Sequence, residues 1–193
     1  MAQAWRISGI GHGASGGKLL ENGWLLYHAR LADRTDKSMN SFQPHITVAT
    51  LVEQDGRFLL VREQAEGRSV LNQPAGHVEA GEQLVQAAFR ETLEETAWQV
   101  RITGLLGMYV YQPYRGAGVY HRYCFIADPL KHDPGQKLDT GIEEAVWLTR
   151  EQLNACRAEH RSPLVQRCVE DYLSGRRLPL DAIYEHPWPL QKG

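Results

Sequence analysis

Residues 76–98 read GHVEAGEQLVQAAFRETLEETAW, from Gly76 to Trp98, and the rest of the chain is organised around them. Val85, Ala88, Phe89, Thr92 and Thr96 recur at three- and four-residue steps, which predicts an amphipathic helix with those side chains as its buried stripe. The segment sets Glu82, Glu91, Glu94 and Glu95 against a single arginine, Arg90, and has no lysine. Glu91, Glu94 and Glu95 fall outside the stripe at i, i+3, i+4. Glu91 therefore neighbours both other carboxylates, and each like-charged pair of this kind costs a helix roughly 0.2–0.5 kcal/mol. Something positive should offset that. Arg90 is one side chain for three carboxylates; a divalent cation is the other candidate. Hard oxygen ligands without Cys or His point to Mg²⁺, with Mn²⁺ as a substitute, and Mg²⁺ is usually held by one or two carboxylates plus substrate phosphates and waters. Three glutamates on a helix also describe an ordinary solvated acidic face, so the residues before the helix decide.

Gly76 stands six residues before Glu82 and Glu82 eight before Arg90, after which come Glu91, Glu94 and Glu95. That spacing resembles the box of the Nudix hydrolase family: G, five residues, E, seven residues, then R-E-U-x-E-E-x-G-U with U bulky and aliphatic. Every charged position and the first glycine match. Two positions depart: Thr92 stands at the first U and Ala97 at the closing glycine. If the helix ends there with φ > 0, Ala is worse than Gly by about 1 kcal/mol. Either the helix runs on to Trp98 or its last turn is strained.

Position by position, the resemblance implies that Glu91, Glu94 and Glu95 face the metal, with Glu91 and Glu95 binding it most directly. Glu94 joins them or is held by Arg90, which acts as an orienting group. The backbone carbonyl of Gly76 is a further possible ligand; Glu82 serves a second ion or caps the helix start. The implied reaction is hydrolysis of a phosphoanhydride, with metal neutralising the bridging oxygens and lowering the pKa of the water that attacks in line. Glu91 or Glu94 within the box could take the proton, and Glu143 or Glu144 are candidates outside it. For the substrate, His77 adjoins Gly76, and Arg62, Arg115 and Arg122 could meet phosphate. Tyr109, Tyr111, Tyr114, Tyr120 and Tyr123 surround a loop at 113–118 and could stack on a base. Sheet packing and solvated positions account for many of these residues equally well.

The 193 residues, 42% apolar and 23% charged, suit one soluble globular domain. A net charge of -2 supplies no basic surface, so a nucleic acid polymer is not an expected partner. Cys124, Cys156 and Cys168 form no C-x-x-C or zinc spacing, as expected of unpaired thiols in a reducing compartment. No apolar run approaches a membrane span or signal-peptide core, so the expected location is the cytoplasm, with a monomer as the default.

Residues 1–41 have a different texture, with Gly9, Gly11, Gly13, Gly16 and Gly17 crowded together, and are expected to form a flexible extension. G-x-G-x-x-G occurs at Gly11, Gly13 and Gly16, yet no strand precedes it and no βαβ unit follows. Met39 lies just before the first core-like strand, so residues 1–38 are expected not to belong to the physiological protein. From there the pattern predicts a hairpin, His45–Glu53 with Phe58–Arg62 about the turn Asp55-Gly56. A polar loop over Glu63–Ser69 follows, then the approach LNQPAG at 71–76 and a helix starting near Gly81 or Glu82. Beyond it come one or two strands in Gln99–Gln112 broken at Gly104 and Gly107, a strand Val119–Ala127, a surface loop over Asp128–Gly141 and a short strand Glu144–Leu148. Helices are predicted at Arg150–Ala155 and at Pro163–Leu173, the latter with Pro163 in its first turn and Gly175 past its end. This order suits an α/β layered domain. The resemblance implies a mixed sheet sandwiched between helices over 42–180, with 181–193 a tail.

The likeness extends past the box. Pro44–Thr50, LNQPAGH at 71–77, RSPLV at 161–165 and Pro187-Trp188-Pro189 resemble the NudJ-type phosphatase branch of the family. That branch implies removal of phosphate from nucleoside tri- and diphosphates and from the hydroxymethylpyrimidine pyrophosphate precursor of thiamine. A diphosphatase of nucleotide-linked substrates such as ADP-ribose or dinucleotides, an RNA-end pyrophosphohydrolase and a non-catalytic ligand-binding module are the other readings. The intact set of glutamates argues against the module.

Overall fold

The computed structural model describes residues 42–186; the expectations for 1–41, for Met39 and for Pro187-Trp188-Pro189 fall outside them. Asp55 and Gly56 have φ of 51° and 75°, the two positive values that a type I′ hairpin turn requires. They join β1 (His45–Gln54) to β2 (Arg57–Ala65). The same geometry recurs at Glu66 and Gly67, at 51° and 75°, and turns β2 into β3 (Arg68–Asn72), paired from Val61↔Asn72 to Ala65↔Arg68. The loop predicted over Glu63–Ser69 is thus a second hairpin. Its polar side chains carry no apolar alternation, and Glu is not a usual turn residue, so the backbone pairing left no sequence signal.

β4 (Ala75–His77) lies antiparallel to β1, with Gly76 opposite Val48. Helix α1 (Leu84–Thr96) begins later than the predicted Gly81 or Glu82: Gln83 is extended at the cap, its N–H donating to Gln86 Oε1 at 3.2 Å. The helix does not run on to Trp98. It ends at Thr96, and Ala97 takes the left-handed conformation at φ 57°, its N–H bonded to Leu93 O at 2.9 Å.

After α1 come β5 (Trp98–Tyr111), β6 (Tyr120–His132) and β7 (Ile142–Thr149). Gly104 and Gly107 do not break β5; they stand at its register shifts against β6, where glycine suits a bulge. β6 continues past Ala127 and takes the start of the segment predicted as loop. Helices α2 (Arg150–Ala155) and α3 (Pro163–Leu173) span the predicted residues. Ser162 caps α3, and Pro163 opens it.

The sheet runs β3-β2-β1-β6-β5, with β4 on β1 and β7 on β2. It is mixed: β1 and β6 are parallel, from His45↔Tyr120 to Val52↔Ala127, and the other pairs are antiparallel. Successive side chains of β1 and β6 face opposite ways. Val48 and Phe125 pack with Leu84, Ala87 and Ala88 of α1. Ala49 and Cys124 pack with Leu153 of α2 and Val165, Cys168 and Val169 of α3. The sheet is thus sandwiched between helices, as the α/β expectation required.

One prediction about α1 is corrected. Its buried face is Leu84, Ala87, Ala88, Glu91, Thr92, Glu95 and Thr96, whereas Val85 is half-buried and Phe89 is 38% exposed. Glu91 and Glu95 belong to the buried face rather than the solvent face. Thr92 and Thr96 fit it because their hydroxyls bond back to Ala88 O and Thr92 O.

Candidate active site

Arg90 gathers the acidic residues. Its Nε and Nη2 hold both oxygens of Glu82, at 2.7 and 2.9 Å, while Nη1 donates to Glu91 Oε1 at 2.7 Å and Glu94 Oε2 at 3.0 Å. Nη2 also reaches the His77 carbonyl at 3.1 Å, which ties α1 to β4. Only a planar fork of five donors can serve so many acceptors at once. The arginine hydrogen bond is the main cause that holds Glu82 below the usual carboxylate range. Glu82 does not cap α1, whose cap is Gln83; both Glu82 oxygens bind Arg90, and Oε2 also accepts the Glu79 N–H at 3.2 Å.

Glu91 and Glu95 are in a different state. They are 9% and 8% exposed, and desolvation pushes the Glu91 carboxyl up in spite of its bond to Arg90. Glu95 is pushed up to about 8, by burial first; the Ala75 N–H, donated to Oε2 at 2.8 Å, opposes this, and the like charges of Glu63, Glu91 and Asp139 reinforce it. Arg90 offsets the burial of Glu91 at one oxygen, whereas Glu95 has no ion-pair partner among the described residues; burial therefore favours the protonated form of each, and a cation beside them would oppose that.

Gly76 explains how close β4 comes. A Cβ built there would lie 2.1 Å from the Glu91 carboxyl, so any side chain at 76 would displace it. The fit to a hard divalent cation rests on these facts: an all-oxygen donor set, burial that Arg90 offsets at Glu91 but not at Glu95, and a glycine that leaves room at the carboxylates. Glu91 and Glu95 would hold it, with Glu94 and the Gly76 carbonyl as further donors. Among the described residues no group of three His, Cys, Asp or Glu side chains is arranged to hold a metal ion. Arg90 occupies oxygens of Glu82, Glu91 and Glu94, so a metal held there would share these carboxylates with the guanidinium.

Ala75 and Gly76 also border a cavity of about 470 Å³ on the α3 side of the sheet. Of the predicted substrate residues, His77, Tyr111, Tyr114, Tyr120 and Arg122 line it, whereas Arg115, Tyr109 and Tyr123 are not in its lining. Burial is the main cause that lowers the His77 pKa, aided by His45 and Arg161, so its imidazole is neutral near pH 7. Arg62 is not in the lining; it is bound to Glu159 at 2.8 Å and Glu144 at 3.5 Å. Glu143 is held by Ser69 at 2.7 Å and by Gln64, and Glu144 by Arg62, so neither bonds to the Arg90 cluster.

Sequence reading passed over a polar chain across this cavity. Arg161 Nη1 donates to Glu63 Oε2 at 2.7 Å, Asn72 Nδ2 to Glu63 Oε1 at 3.0 Å, and Arg122 Nη1 to Asn72 Oδ1 at 3.3 Å. Only the unusual buried-side acid in β2 hinted at it, and that stretch read as loop. Asp139 was also missed; its N–H bonds to Glu94 O at 3.1 Å. Among the described residues no helix is long and apolar enough to cross a membrane.

Comparisons with known proteins identify the family. The family model of the NUDIX domain matches residues 42–168. The chain is 37% identical over 153 residues to phosphatase NudJ of Escherichia coli K12 and to phosphatase NudJ of Shigella flexneri, covering 79% of this chain and 98% of each relative. A NUDIX hydrolase structure from Nitrosomonas europaea superposes with a TM-score of 0.74 at 42% identity, covering 76% of this chain and 100% of that one.

Proposed function

Since the chain belongs to the Nudix family and is a hydrolase of phosphoanhydride bonds in small phosphorylated compounds, we propose that it is a Mg²⁺-dependent phosphatase of nucleoside tri- and diphosphates and of the hydroxymethylpyrimidine pyrophosphate precursor of thiamine. The observation that carries this reading is the buried pair Glu91 and Glu95, set against Gly76 beside a cavity that holds Arg122 and Arg161. The 37% identity to NudJ phosphatases supports the choice of substrates.

The residues divide the work. Arg122 and Arg161, whose forks suit phosphate oxygens, draw the substrate's phosphates toward β4. Asn72 and Glu63 fix the direction of those two guanidiniums. Bound Mg²⁺ supplies a Lewis acid for the phosphoryl oxygens and for water. Glu94 accepts the proton of the attacking water: Arg90 holds its Oε2, and it is 38% exposed, whereas Glu91 and Glu95 are buried for ligand duty. Arg90, anchored by Glu82, keeps Glu94 in place.

The test is release of phosphate from a panel of nucleoside di- and triphosphates, thiamine-pathway pyrophosphates, ADP-ribose and dinucleotides, with Mg²⁺ and with chelator. Chelator-sensitive phosphate release from the first two groups is expected, and turnover only of the last two would overturn the choice of substrate. Glu95→Gln should lower kcat by at least ~100-fold while leaving the protein folded. Glu94→Gln should lower kcat by about 100-fold with substrate binding retained, and an unchanged kcat would assign the base elsewhere.

A further inference from the structure

Thr47 lines the cavity and is 6% exposed, and its hydroxyl has no hydrogen-bond partner among the described residues. A buried hydroxyl left unpaired is a cost that folded proteins seldom retain. It sits between two groups already facing the cavity, because β1 pairs Thr47 with His77 on one side and with Arg122 on the other. One step along the same face, His45 pairs with Tyr120. Their rings stack with centroids 4.8 Å apart and planes 21° from parallel. His77 meets His45 edge-on at 5.6 Å. The stack is confined from behind: a Cβ at Gly118 would come within 2.6 Å of His45 Nε2, so the chain passes the imidazole closely there and holds it against Tyr120.

An aromatic shelf, an unpaired hydroxyl beside it and an arginine next in register form a site for something flat, polar and phosphorylated. We infer that Thr47 and the Tyr120–His45 stack form a ring-recognition subsite, in which Tyr120 stacks on a nitrogen heterocycle of the substrate and the Thr47 hydroxyl bonds to a polar atom of that ring. A hydroxyl both donates and accepts, so it can meet an exocyclic amino group or a carbonyl. A cavity of about 470 Å³ lies in the range that holds a mononucleotide. The substrates selected are di- and triphosphates of heterocycles, not of bare sugars. This subsite rests on the hydrolase reading for its place in catalysis, since Arg122 and Gly76 join it to the carboxylates, but its ligand chemistry can be measured without turnover.

The experiment compares binding of cytidine 5′-monophosphate and ribose 5-phosphate, which share sugar and phosphate and differ by the ring, by calorimetry on the full chain. The wild type should bind the nucleotide about tenfold or more tightly than the sugar phosphate. Thr47→Val, close in shape, should cut that preference about tenfold and raise the thermal midpoint, because the unpaired hydroxyl is gone. Thr47→Ser should retain the preference, and Tyr120→Leu should lose it. Equal binding of the two ligands by the wild type, or a preference that Thr47→Val leaves unchanged, overturns the proposal. Neither ligand contains a phosphoanhydride, so an enzyme that turns over nothing in the substrate panel would refute the hydrolase reading and still leave this result decisive.

Discussion

At the scale of single residues, the spacing in the sequence grouped the charged positions of the candidate site but did not give their states. Glu82, Arg90, Glu91, Glu94 and Glu95 are brought together, because their spacing along the chain and one helix already fixes their neighbours. Whether each was buried was not legible: the apolar stripe read from Val85 and Phe89 turned the glutamates outward, and the structure turns two of them inward. The residues missed, Glu63, Asn72, Thr47 and Asp139, come from strands and a loop far away in sequence, where no local pattern marks a shared cavity. Arg90 shows what the spacing could not say, since its single guanidinium binds Glu82, Glu91 and Glu94 at once. Arg90→Lys should therefore lower activity at fixed Mg²⁺ by about 10–100-fold, because an ammonium keeps the charge and cannot span Glu82, Glu91 and Glu94 together. Mg²⁺ activation curves would show a raised half-saturation; an unchanged curve with full kcat would remove Arg90 from any positioning role.

At the scale of elements, α2 and α3 were legible to the residue, because Thr149, Ser162 and Pro163 are strong start signals. The end of α1 was legible as a conflict: Ala97 stands where glycine is wanted, and it does adopt φ 57°. The loop between β6 and β7 offsets that conflict. Asp133 N–H bonds to Ala97 O at 2.9 Å and Asp139 N–H to Glu94 O, while Gln136 Nε2 gives Leu93 O, already bonded to the Ala97 N–H, a second donor at 2.7 Å, so the carbonyls at the helix end find donors in that loop. Ala97→Gly should stabilise the fold by about 0.5–1 kcal/mol, and Gln136→Ala should cost about 1 kcal/mol. Urea unfolding at constant m would measure both. A destabilising glycine would mean that the left-handed turn carries no strain.

At the scale of the whole molecule, the sheet between α1 and the α2–α3 pair places two carboxylates in the interior, and that burial must appear in the stability of the fold. Glu95 titrates near 8 when folded and near 4.5 as an ordinary carboxylate. Between those values the unfolded chain has released a proton that the folded chain keeps, so the unfolded state binds fewer protons and stability falls as pH rises. The contribution is fully present below about 4.5, is lost through about 8, and is on the order of 5 kcal/mol. Glu91, raised by burial as well, acts in the same sense. His77 and His160 act oppositely: burial lowers both, so they remove stability as pH falls below about 6.5. The clean readout is therefore the difference between wild type and Glu95→Gln, both in chelator. The thermal midpoint of the wild type should fall relative to that of Glu95→Gln from pH 5 to pH 8. Mg²⁺ should restore it more at pH 8 than at pH 6, because the cation takes the place of the proton. A difference that stays flat across that range would mean that Glu95 is ionised in the folded chain without metal, with some compensating charge close to it. The interior carboxylate pair would then not be the source of the site's affinity for a cation.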